Sequence, residues 1–168
     1  VSAANQELDV QKAENLTLLL VEDDPNDVVL VQRALRRAGI ALQVRSAGSV
    51  AQARAYLTGE APFQDRAANP MPWMILLDLK MPGGSGIELL TWMRARVDTR
   101  RIPVVVLSSS KEPGDVDRAY DAGCNSYLVK PVAFDALQEM LVAFGKYWLE
   151  FNAAPEASRG SRPPPRLA

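Results

Sequence analysis

Five strand-like segments alternate strictly with stretches of helical periodicity, and this alternation constrains the fold more than any other feature of the chain. The first segment, residues 16–21, is an unbroken apolar run that stops at Glu22, Asp23 and Asp24. Such a run suits a strand buried on both faces. Asp24-Pro25-Asn26-Asp27 then supplies a capping acid, a proline at the first helical position and an acid in the first turn. Val28, Val31 and Leu35 follow at helical spacing, and Gly39 ends the helix. Residues 42–46 are a short strand candidate, and 49–58 a helix. Residues 59–72 read as a long loop, and 73–77 as the third strand, ending at Asp78. Gly83, Gly84 and Gly86 break the chain before a helix over 87–96. Residues 103–107 form a fourth strand that runs into Ser108, Ser109 and Ser110. Pro113 opens a helix stopped by Gly123, 126–129 is the fifth strand, and 132–151 is an unusually long last helix.

Strict strand–helix alternation predicts an α/β fold, a five-stranded parallel sheet with helices on both faces. Right-handed crossovers make it doubly wound. The folded unit is expected over 16–151, between a flexible N-terminal segment at 1–15 and a Pro-rich flexible tail at 152–168. No apolar run approaches the roughly 18–20 residues of a membrane span, and residues 1–15 lack the charged-then-apolar order of a secretory signal. A net charge of −1 gives no general attraction to nucleic acid or anionic lipid. One cysteine permits no intrachain disulfide and suits a reducing compartment, so the expected location is cytoplasmic. The complete absence of histidine excludes Ser–His–Asp and Cys–His catalysis, histidine-ligated zinc and imidazole switching.

In doubly wound sheets ligands bind beyond the carboxyl ends of the strands. Glu22, Asp23 and Asp24 follow the first strand, Asp78 the third, Ser108 the fourth and Lys130 the fifth. Clustered carboxylates repel unless a cation neutralises them. Oxygen ligands without His or Cys suit a hard ion, magnesium above all. Lysine adds a fixed charge for an anion, and the set is a phosphoryl-transfer kit with an aspartate as nucleophile. Asp24 remains open between helix capping and ligation. The triple glycine lacks the Gly-Lys-Ser/Thr ending of a nucleotide loop, and is assigned to a tight turn. Cys124 is expected to be a small packed side chain, and Trp73 and Trp92 to fill the core or helix faces.

These residues carry a resemblance to the receiver domain of two-component response regulators. LLLVEDDP at 18–25, LLDLKMPGGSG at 76–86, VVVLSS at 104–109 and YLVKP at 127–131 match in order and spacing across the folded unit. The resemblance implies a flavodoxin-like strand order of 2-1-3-4-5, with Asp78 as phosphoacceptor. Magnesium is then bound by Asp23, by Glu22 largely through water, by Asp78 and by the Lys80 backbone carbonyl. Lys130 pairs with the acyl phosphate, Ser108 is the switch hydroxyl and Tyr127 the switch aromatic. The Lys130–Pro131 bond is expected to be cis. The Lys80 side chain is expected near the phosphoryl group, slowing autodephosphorylation.

On this reading the chain is not an enzyme beyond its own phosphorylation and dephosphorylation. Its phosphoryl donor is a partner histidine kinase. An aspartate-nucleophile phosphatase is the alternative, but such enzymes carry a second acid two residues after the nucleophile, where this chain has Lys80. A flavin-binding module is disfavoured by the three acids after the first strand, which repel phosphate. Neither a basic helix nor a recognition motif for nucleic acid is present, so output is expected through protein contacts. Phe134, Leu137, Leu141, Phe144 and Trp148 form a stripe on the last helix, widened by Met140, Tyr147 and Phe151. That stripe either closes on its own sheet or forms a homodimer, for which Phe144, Tyr147, Trp148 and Phe151 are the interface candidates. The long last helix, the 59–72 insertion and the D-L-K-M-P segment are similar to the small regulators paired with bacterial and cyanobacterial phytochrome kinases.

Overall fold

Side chains of alternate parity leave a strand on opposite faces, and the central strands of this protein bury both. The computed structural model describes residues 16–153 and residue 155; the expected flexible segment at 1–15 and most of the tail lie outside the described residues. The principal elements are β1 (Thr17–Val21), α1 (Pro25–Arg37), β2 (Gln43–Ala47), α2 (Val50–Thr58), β3 (Met74–Leu77), α3 (Gly86–Arg94), β4 (Val104–Ser108), α4 (Pro113–Asp121), β5 (Ser126–Val129) and α5 (Phe134–Gly145). All pairings in the main sheet are parallel, in the order β2-β1-β3-β4-β5. This is the doubly wound flavodoxin-like arrangement.

Each side of the sheet has its own core. Leu19, Val21, Ile75, Leu77, Val104 and Val106 meet side chains of α2 and α3, including Ala53, Tyr56, Leu89, Leu90 and Met93. Leu18, Leu20, Met74, Leu76, Val105 and Leu107 meet Val31, Ala34 and Leu35 of α1 and Leu137, Leu141 and Phe144 of α5. Every residue of β1, β3 and β4 is buried, which explains their uninterrupted apolar sequences. The edge strands differ: β2 is largely exposed and β5 half-buried throughout. Helix α4 buries only Ala119, so little apolar area holds it to the sheet.

Two local features depart from the sequence expectation. The glycine-rich turn contains a small antiparallel ladder, Lys80 with Ser85 and Met81 with Gly84, too short to leave a periodic signal. The last helix starts at Phe134 rather than 132, and its final turns, Lys146–Phe151, are π-helical. Within it, Phe144 and Trp148 belong to the protein's own core, at 5% and 8% exposure. They are therefore removed from the dimer-interface candidates: the stripe closes on its own sheet at these positions. Tyr147 and Phe151 are left exposed at 53% and 69%. Trp73 and Cys124 are packed as expected, and Trp92 lies against the core edge between Arg54 and Arg96. Among the described residues no helix is long and apolar enough to cross a membrane.

Candidate functional site

Strand register brings the polar residues together. Val21 of β1 aligns with Leu77 of β3, Leu77 with Val106 of β4, and Ser108 with Val129 of β5. The ladders then run one residue further: the Asp78 N–H donates to the Val21 carbonyl at 2.9 Å, and the Lys130 N–H to the Ser108 carbonyl at 2.8 Å. Glu22, Asp78, Ser108 and Lys130 thus share one edge because four strands end in step.

Carboxylate oxygens of Glu22, Asp23 and Asp78 lie within 4.8 Å of one another. Glu22 is 4% exposed and Asp78 8%. Into this cluster reaches the Lys130 ammonium, which donates to Glu22 Oε2 at 2.6 Å and Asp27 Oδ2 at 2.7 Å and lies 3.7 Å from Asp78 Oδ2. Burial pushes the Glu22 carboxyl above its ordinary range, only partly opposed by the bond from Lys130 and the Asp24 N–H. Burial alone would lower Lys130, but its bonds to Asp27 and Glu22 outweigh this and hold the ammonium more firmly protonated than usual. Three carboxylates, of Glu22, Asp27 and Asp78, thus face one lysine, and Asp23 adds a further negative charge to the cluster. The donor set is all oxygen and retains excess negative charge, which fits a hard divalent cation at Glu22, Asp23 and Asp78.

Asp24 is a cap: its Oδ1 accepts from the Asn26 N–H at 2.8 Å, and Pro25 opens α1. Asp27, one helical turn beyond the first acid pair, is the residue that sequence reasoning missed. It reads locally as a first-turn acid favoured by the helix dipole, and only the tertiary fold, which brings Lys130 from the end of β5 to the start of α1, makes it a partner of Lys130. Its place at the third position of a helix starting beside the strand-end acids was the available signal. The expected cis bond at Lys130–Pro131 is corrected to trans; the cis bond among the described residues is Ala61–Pro62. Lys130 reaches the site from a trans bond because the Ser108 carbonyl fixes its backbone and the carboxylates draw in its side chain.

Ser108 is fully buried, and its Oγ accepts from the Ser110 N–H at 3.4 Å. Tyr127 is half-buried and donates its hydroxyl to the Ser110 carbonyl at 3.0 Å. The Lys80 N–H donates to Asp78 Oδ1 at 3.2 Å, so the Lys80 backbone is at the site. Its side chain is elsewhere: the ammonium lies 3.5 Å from Asp115 Oδ2 on α4. Asp115 also accepts from Ser110 Oγ and from Arg118, which together hold its carboxyl below the usual range, Ser110 most strongly.

Comparison with known proteins agrees with this geometry. A family model described as "Response regulator receiver domain" matches residues 18–142. Response regulator Rcp1 of Synechocystis is 34% identical over 140 residues, covering 83% of this chain and 93% of that protein. The protein described as "Probable methanogenesis regulatory protein FilR2" of Methanothrix harundinacea is 35% identical over 148 residues, covering 88% and 93%. Among solved structures, response regulator RPA3017 in red light signalling of R. palustris superposes with a TM-score of 0.80 at 30% identity, covering 83% and 98%. The Mn(2+)-bound form of Rcp1 gives 0.75 at 34% identity, covering 83% and 99%.

Proposed function

Because the chain belongs to the response regulator receiver domain family, a family of phosphoacceptors that work with histidine kinases, we propose that Asp78 receives the phosphoryl group. One observation carries the assignment: Asp78 is the strand-end carboxylate that lies among Glu22, Asp23 and the Lys130 ammonium. A carboxylate oxygen of Asp78 attacks the phosphorus in line with the leaving group, and the P–O bond to the donor breaks with its electron pair. Lys130 offsets charge on the incoming group, as preorganised dipoles and cations do in other sites. Magnesium, held by Glu22, Asp23, Asp78 and the Lys80 carbonyl, would supply further charge neutralisation. The acyl phosphate then offers Ser108 a new acceptor, and the loop after β4 shifts, with Tyr127 following.

The partner is a histidine kinase, and we assign it to the phytochrome type, since several of the similar regulators are described in terms of phytochrome or red-light signalling. Output runs through protein contacts, with a homodimer formed around Tyr147 and Phe151 at the exposed end of the last helix. Incubation with magnesium and acetyl phosphate, followed by intact mass, tests the central assignment. The wild type should gain one phosphoryl group and Asp78→Asn none; an unchanged wild-type mass refutes it. Stimulation of labelling by a light-regulated histidine kinase over one that is not light-regulated tests the partner.

A further inference from the structure

We propose that Asp115 is a positioning residue that holds the Lys80 ammonium away from the phosphoryl group on Asp78, and thereby sets how fast that group is lost. The inference rests on the Asp78 assignment above. The backbone of Lys80 is fixed at the site by its N–H bond to Asp78 Oδ1, while its side chain turns outward to α4. The two members of the pair are unequally held. Asp115 is 14% exposed and tied by Ser110 and Arg118, whereas Lys80 is 59% exposed and bonded by little else. Lysine is therefore the mobile member and aspartate the fixed one.

Phosphorylation adds negative charge and three acceptor oxygens at Asp78, two residues from the root of the Lys80 side chain. The ammonium then has two anions to choose between. Loss of the signal is hydrolysis: a water oxygen bonds to phosphorus, the P–O bond to Asp78 breaks with its electron pair returning to the carboxylate, and the water protons leave with inorganic phosphate and solvent. That water approaches from the side opposite Asp78. A lysine drawn onto the phosphoryl oxygens occupies part of this approach, and a lysine held by Asp115 leaves it open. Partition of one ammonium between two anions thus tunes the lifetime. Because the same carboxylate accepts from Ser110, two residues after Ser108, release of Lys80 also removes one tether between the site and α4.

Arg118 makes the inference sharp: it pairs with Asp115 Oδ1 while Lys80 lies at Oδ2, so its positive charge offsets the carboxylate and weakens the hold on Lys80. Removing the aspartate charge and removing the arginine charge must act in opposite directions. The test is decay of the acyl phosphate after labelling with acetyl phosphate and removal of the donor, followed by intact mass and phosphate release. Asp115→Asn, which keeps an acceptor for Ser110, should lengthen the half-life by about two- to fivefold, the range an exposed ion pair can exert. Arg118→Gln should shorten it. Both shifts should vanish in a Lys80→Ala background. An unchanged or shortened half-life in Asp115→Asn overturns the proposal, as does a shift of equal size without Lys80, which would mean that Asp115 acts through the fold. Lengthening by Arg118→Gln overturns it too. Failure of the wild type to gain mass would overturn the Asp78 assignment and this inference together, a result distinct from normal labelling with unshifted lifetimes.

Discussion

Replacing Gly86 by alanine places a methyl group where the backbone of the β3 end already stands. An added Cβ would lie 2.4 Å from the Asp78 carbonyl oxygen, 2.9 Å from Leu79 Cα and 3.2 Å from the Asp78 carbonyl carbon. Carbon–oxygen contacts settle near 3.3 Å or beyond, so the backbone beside Asp78 has to move by roughly 0.9 Å. The strain has no easy outlet, because the Gly86 N–H is itself bonded to the Leu79 carbonyl at 3.1 Å. Gly86 does not adopt a positive φ, so space alone demands the glycine here. Overpacking of this kind costs about 1–3 kcal/mol, against a gain of at most about 1 kcal/mol from alanine's helix propensity. The expected net loss is up to about 3 kcal/mol, or a Tm lower by up to roughly 12 °C. Because the moving backbone carries Asp78, labelling by acetyl phosphate should slow by at least about tenfold, as small misplacements of reacting groups do. Gly145→Ala provides the control. Its Cβ would meet Ile40 Cδ1 at 2.5 Å, the far end of a side chain remote from the site, so it should alter stability while labelling proceeds at the wild-type rate. Wild-type Tm and labelling rate in Gly86→Ala would refute the reasoning.

Three other outcomes follow from the same geometry. Lys130→Met leaves the buried Glu22 carboxylate without its cation and should cost on the order of 3 kcal/mol in urea unfolding without divalent ions, with labelling strongly reduced; equal stability would contradict the charge argument. Trp148→Ala removes a buried ring that contacts Phe144 at 6.5 Å between centroids and Tyr147 at 5.1 Å. It should destabilise the single chain by about 3–5 kcal/mol at every protein concentration, whereas Tyr147→Ala/Phe151→Ala should lower the mass seen in sedimentation and leave the fold intact. The depressed Asp115 carboxyl contributes stability that is present above its unfolded pKa and is lost as pH falls through its lower folded value. The stability difference between wild type and Asp115→Asn should accordingly hold steady above about pH 5 and shrink as pH falls below about 4; a difference that grows in acid would reverse the sign of the argument.

Local patterns marked the strands and the helix caps with little ambiguity. The buried runs of β1, β3 and β4 are apolar at every position because both faces are covered, and Asp24-Pro25 caps α1 as its composition demands. Boundaries moved by one or two residues where caps fray. The Lys80–Met81 with Gly84–Ser85 ladder was illegible because two-residue strands have no period. The apolar stripe of the last helix was visible, yet which members face inward depended on how α5 docks against α1 and the sheet.

The sequence by itself determined the fold class and which polar residues gather at the strand ends, since those depend on periodicity and on what stands at the end of each strand. Tertiary structure decided the rest. Asp27 became a partner of Lys130, Phe144 and Trp148 were taken into the core, and Lys80 turned from Asp78 to Asp115. Each of those outcomes is a contact between elements distant in the chain. Such contacts are set by strand register and helix docking, which no local run of residues encodes.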